Sequence, residues 1–182
     1  MIDMFKLMTY GKKVAGIIRA KGGEAKDSPK VVYTDQKSFG LVREVSYWGC
    51  VMLSYFVAYK IFKQGSLSTL EANDLYYKCL DAKAIKNDCT VNDAGKLFET
   101  LGAKISFLGK TFQATDYLTA DFAIVERRRK DPESKYASKD GYVYHTALWS
   151  GDMKRLLYEP WPGSRTTAEG EFHLKRCVSF RG

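Results

Sequence analysis

The sequence predicts an α+β domain in which a helical layer comes first and packs on an antiparallel β-sheet. Between Gly49 and Gly102 apolar residues recur at helical spacing in three stretches. From Ala103 onward the pattern shortens to strand-like alternation broken by turn residues. Helices followed by a run of strands is the order of segregated layers, whereas a parallel sheet would alternate the two. With 182 residues, 45% hydrophobic, and with 12 Tyr, 10 Phe and 3 Trp, the chain can fill one core and line a cleft with rings.

Met1 to Ala20 mixes Phe5, Leu7, Val14 and Ile17 with lysines, which reads as a short amphipathic helix or arm that packs on the domain or docks on a membrane surface. The polar, glycine-containing run Lys21 to Lys30 reads as a linker or exposed loop, and Val31 to Tyr33 as a short edge strand. Residues 1–36 are therefore assigned to an N-terminal arm and 37–182 to the folded domain. Gly49 to Lys63 is apolar almost all round and predicts a helix buried in the middle of the molecule. A second helix starts after Ser68, whose hydroxyl caps it, with Glu71 three residues on. A third follows Cys89-Thr90-Val91-Asn92, presents Leu97, Phe98 and Leu101, and stops at Gly102. Strands are expected over 103–108, 121–126, 142–149, 155–158 and 172–180, with a turn at Ser150-Gly151-Asp152.

The net charge of +8 is spread along the chain, with one dense run, Arg127 to Lys130, read as a solvated loop after a strand. No recognition-helix or aromatic nucleic-acid motif accompanies it, so no specific nucleic-acid partner is predicted, although Met1 to Lys30 and the arginine run would suit a basic adaptor. No apolar run approaches the roughly 18 residues of a membrane span. Met1 to Ala20 is interrupted by Lys6, Gly11, Lys12 and Lys13, unlike a secretory signal, which makes the cytoplasm the default expectation unless export follows another route. Cys50, Cys79, Cys89 and Cys177 form no Cys-x-x-Cys pair, and His145 and His173 stand far apart. Neither a structural metal site nor a disulfide framework is expected, and no cofactor is implied.

Chemistry enters through the order of three parts. Trp48-Gly49-Cys50 opens the buried helix, His145 lies in a strand, and Glu159-Pro160-Trp161 ends the next strand. A cysteine in a first helical turn feels the positive end of the helix dipole, which favours the reactive thiolate. Gly49 allows close backbone approach, and the Cys50 N–H can point at a developing oxyanion. A histidine on a neighbouring strand can take the thiol proton, and a carboxylate beyond the ring can fix its tautomer.

These parts, together with Asn92-Asp93-Ala94-Gly95-Lys96-Leu97-Phe98 and Tyr144-His145-Thr146-Ala147-Leu148-Trp149, resemble the papain-like cysteine peptidases, most nearly the bacteriocin-processing-type branch and its bacterial and phage relatives. The resemblance runs from about Lys37 to Trp161. It implies a papain-like fold, Cys50 as nucleophile, His145 as general base and Glu159 as the orienter, where the family usually has Asp or Asn. It also implies a peptidase or amidase acting on a peptide, an isopeptide or a cell-wall peptide stem, with Trp48 and Gly49 at the cleft.

One departure bears on activity. The family commonly carries an oxyanion-hole Gln six residues before the nucleophile, and here that position is Glu44. A carboxylate accepts but does not donate unless protonated, and losing one such donor costs about 3 kcal/mol of barrier. Either another donor such as Trp48 or Ser46 takes the role, or Glu44 is protonated, or the domain has become a non-catalytic peptide- or protein-binding cleft.

Overall fold

The computed structural model of the chain describes residues 32–38 and 43–181, and its architecture is α+β. The expected helix or arm over Met1 to Ala20, the linker Lys21 to Lys30 and Val31 lie outside the described residues, as does the side chain of Glu44. A 3-10 turn, Gln36–Ser38, precedes α1 (Arg43–Trp48), α2 (Cys50–Phe62), α3 (Thr69–Asp81) and α4 (Ala94–Thr100). Then come β1 (Ile105–Thr111), β2 (Phe122–Lys130), β3 (Tyr142–Ser150), β4 (Leu156–Tyr158), a short α5 (Arg165–Glu169) and β5 (Glu171–Phe180). The five strands form one sheet in the order β1-β5-β2-β3-β4, every neighbouring pair antiparallel.

Local chemistry accounts for the helix starts. Ser68 accepts from the Glu71 N–H at 3.2 Å ahead of α3, and Asp93 accepts from the Lys96 N–H at 2.9 Å ahead of α4. Helix α2 is buried on nearly every side, with Met52, Leu53, Phe56 and Val57 fully covered, because it lies between the other helices and the sheet. Ile124, Leu148, Val178 and Phe180 turn one sheet face toward it, and Phe180 packs its ring on Phe62 and Phe98. Ala123, Val125 and Cys177 alternate to the other face, against Phe107, Trp149 and Phe172.

The arginine run corrects the sequence reading. Arg127, Arg128 and Arg129 are not in a loop. They continue β2, opposite His145, Tyr144 and Val143 of β3. Their heads find rings, a carbonyl and carboxylates: Arg127 stacks over Trp149 and donates to the Gly170 carbonyl, Arg128 stacks over Tyr142 and donates to Glu171, and Arg129 donates to Asp131. The two short helices α1 and α5 are likewise elements the sequence pattern did not mark.

Two features position the chemistry. Residues 32–36, read from the sequence as part of the arm, pack into the domain. Tyr33 bridges to Leu67, the Tyr158 hydroxyl donates to the Thr34 carbonyl at 2.7 Å, and the Gln36 N–H donates to the Pro160 carbonyl at 2.7 Å. Glu159 is thus clamped on both sides in sequence. Gly49 alone separates α1 from α2, and its N–H reaches the Val45 carbonyl at 3.0 Å. A Cβ here would stand 2.5 Å from that carbonyl oxygen and 2.9 Å from the fully buried Val45 side chain.

That approach leaves no room for a methyl group. Gly49→Ala is expected to cost about 2 kcal/mol of stability through overpacking against Val45. A thermal melt of the variant within a degree of the parent would show that the α1–α2 corner gives way more easily than the geometry states.

Candidate active site

Cys50 is the first residue of α2, and no side chain caps that helix start. The thiol therefore sits where the first-turn N–H groups and the positive helix end face outward. Its neighbours come from β3. His145 and the buried Thr146 lie beside the sulfur and act on it through hydrogen bonding and, for His145, charge. On its far side His145 Nε2 lies 2.6 Å from Glu159 Oε1, which leaves Nδ1 for the thiol. The same carboxylate oxygen accepts the Trp161 N–H at 3.1 Å. His145 and Glu159 are 11% and 16% exposed, so the relay from Cys50 to Glu159 is screened from bulk water.

The electrostatics follow from this shielding. Burial pushes the Cys50 thiol up, but the hydrogen bond and positive charge of His145, helped by Thr146, more than offset it and set it below its ordinary value. Burial likewise pulls His145 down, yet Cys50 and Glu159 together raise it to about 9. Both shifts favour a thiolate facing an imidazolium. The other thiols differ: burial raises Cys79 to about 11 and also raises Cys177.

A cleft of about 930 Å³ opens over the pair. Trp48, 59% exposed, stands on its rim, and Gly49 lies just behind Cys50. The rings of Tyr47, Tyr136 and Trp161 reach one another edge to edge along the same rim, 6.2 and 6.3 Å apart between centroids. Of the residues the sequence singles out, Trp48, Cys50 and His145 line this cleft, Glu159 lies behind His145, and Gly49 is buried beside Cys50 against Val45. Glu44 belongs to α1, and its side chain is outside the described residues. His173 does not join them; its ring lies against Tyr144, and Nε2 is 3.6 Å from Glu126 Oε1.

Sequence reasoning missed Gln36. Its side chain is buried, lines the cleft, and donates from Nε2 to the Ser46 carbonyl at 3.1 Å. That bond fixes which end of the amide is nitrogen, since the reverse would face oxygen with oxygen. The available signal was that Gln36 is the only glutamine ahead of Cys50. Among the described residues no group of three or more His, Cys, Asp or Glu is placed to hold a metal ion, and no helix is long and apolar enough to cross a membrane.

Residues 33–180 match the family model described as "Protein of unknown function, DUF261", and the chain belongs to that family. No curated protein and no solved structure matches it.

The ion pair has a pH signature. Cys50 alkylation by iodoacetamide is expected to reach its plateau at a lower pH than that of Cys79 or Cys177, and to fall on the acid side of it, where the thiolate is protonated. Raising the pH through 9 removes the imidazolium proton but leaves the thiolate, so the rate persists. Cys79 and Cys177 stay unreactive until alkaline pH or unfolding. In His145→Ala burial acts without its counterweight, and the rate at pH 7 drops about tenfold or more. A Cys50 that titrates like Cys79 would refute the thiolate assignment.

Proposed function

We propose that the protein is a papain-like cysteine hydrolase that cleaves peptide or isopeptide amide bonds through Cys50, His145 and Glu159. The observation that carries this reading is the order Cys50, His145, Glu159 in space, with the thiol lowered by the imidazole beside it and His145 Nε2 2.6 Å from Glu159 Oε1. A nucleophile at a helix start, a base on an antiparallel strand and an orienter after the next strand also support the papain-like fold. The 930 Å³ cleft over the sulfur has room for several residues of an extended chain.

In this reading the Cys50 thiolate attacks the amide carbonyl carbon, and the negative charge moves to the oxygen. His145 gives its Nδ1 proton to the departing amine as the C–N bond breaks, leaving a thioester on Cys50. A water then attacks the thioester while His145 takes its proton, and the C–S bond breaks to release the carboxylic acid and restore the thiolate–imidazolium pair. Glu159 holds the ring by Nε2 throughout and favours the imidazolium. The oxyanion needs donors, and Gln36 supplies one. One Nε2 hydrogen is used by Ser46, and in this reading the other is the donor that joins the Cys50 N–H at the oxyanion. The family position at Glu44 is then not required to donate.

A peptide library with mass-spectrometric readout tests both parts. Wild-type chain should cleave members of the set, and Cys50→Ala should cleave none. Gln36→Ala is expected to lower kcat about a hundredfold with little change in KM. Glu44→Gln should stay within about threefold of the parent, whereas a rise of about a hundredfold would return the oxyanion role to position 44. A Cys50 that alkylates as an activated thiol while no amide in the set is cleaved would favour a non-catalytic binding cleft.

A further inference from the structure

We propose that the cleft selects an acidic peptide segment, with Arg176 as the cation that meets the substrate carboxylate; this rests on the hydrolase reading above. The placement comes from the sheet. Thr146, which touches the Cys50 sulfur, stands directly opposite Glu126, and Glu126 is opposite Leu174, two residues from Arg176 on β5. Side chains two apart on a strand share a face. Thr146, Glu126 and Arg176 therefore share one sheet face across three strands, Arg176 standing opposite Ile124 one step along from the Thr146–Glu126 pair, and all three line the cleft.

Charge bookkeeping on that face singles out Arg176. Arg129, Arg165 and Arg176 line the cleft against Glu126 and Asp88. Arg129 is held by Asp131 at 2.6 Å, and Arg165, on α5, is paired with Glu169 and 68% exposed. Arg176 is 23% exposed and meets Glu126 only at 3.6 Å, beyond hydrogen-bonding distance, while Glu126 is also shared with His173 at 3.6 Å. Its Nη1 is buried with no hydrogen-bond partner; Arg129 Nε is too, but that guanidinium is already neutralised by Asp131. A guanidinium fork carries five donors in a plane that matches a carboxylate, and a buried unpaired donor is a standing cost that such an acceptor relieves. The chain's net charge of +8 draws an acidic segment toward the same cleft.

Cys50 itself reports on this. In the full chain, alkylation of Cys50 by anionic iodoacetate is compared with alkylation by neutral iodoacetamide. The absolute iodoacetamide rate tests the activated thiol; the ratio of the two rates tests the cation, so the two ideas fail separately. In Arg176→Gln the iodoacetate-to-iodoacetamide ratio is expected to fall about fivefold, and in Arg176→Lys to stay near the parent value. An unchanged ratio in a folded Arg176→Gln overturns the proposal. Should that variant melt early, Glu126→Gln gives the second measurement: with its carboxylate neighbour gone, the cation should raise the ratio, and no rise overturns it. In turnover, peptides with Glu beside the scissile bond should exceed their Gln counterparts. Equal cleavage would overturn selection of an acidic segment.

Discussion

The arrangement depends on keeping two charges in a place that disfavours each of them alone. Burial acts on Cys50 and His145 in the directions that would leave both neutral, up for the thiol and down for the imidazole. The ion pair exists because each supplies the other's counter-charge, and because Thr146 and Glu159 contact the two ends. Removing one partner would leave the other buried and uncompensated, which is why such pairs are costly to break even where they add little net stability.

Much of the surrounding structure fixes that geometry. The sulfur is set by the start of α2, and that start is set by Gly49, the one residue between two helices whose side chain would collide with Val45. His145 is set by β3, paired along nine residues with β2. Glu159 follows a strand of three residues and would be the loosest member, yet Thr34 and Gln36 hold Tyr158 and Pro160 on either side of it. Residues 34–36 thus hold the position of Glu159 through backbone and hydroxyl contacts that leave little trace in their composition.

This distribution explains what the sequence reveals. Helices α2, α3 and α4 are legible because each has an apolar face or a capping residue within itself, and the Cys50, His145, Glu159 order is legible because the residue types are rare and their contexts local. The arginine run misleads because a charge run ordinarily signals solvent. Here β2 is paired on both edges, so its backbone ladder continues beneath Arg127 to Arg129 while rings, a carbonyl and carboxylates receive the guanidinium heads. Helices α1 and α5, with six and five residues, are too short to show a period. Gln36 is invisible because its place in the cleft comes from tertiary bonds to Pro160 and Ser46, whereas a spacing rule points to Glu44.

The charge balance of the site then links orienter, oxyanion donor and substrate. Thiolate, imidazolium and the Glu159 carboxylate sum to one negative charge, where an amide orienter would leave the pair neutral. In the hydrolase proposed above, a tetrahedral oxyanion would add negative charge beside this group, so neutral donors such as Gln36 would suit the oxygen where a second carboxylate would oppose it. Cations farther along the cleft can balance the excess without touching the reacting atoms. Arg176, on the sheet face it shares with Thr146, is placed to do so, and the same charge that eases the oxyanion would favour an acidic chain lying across it.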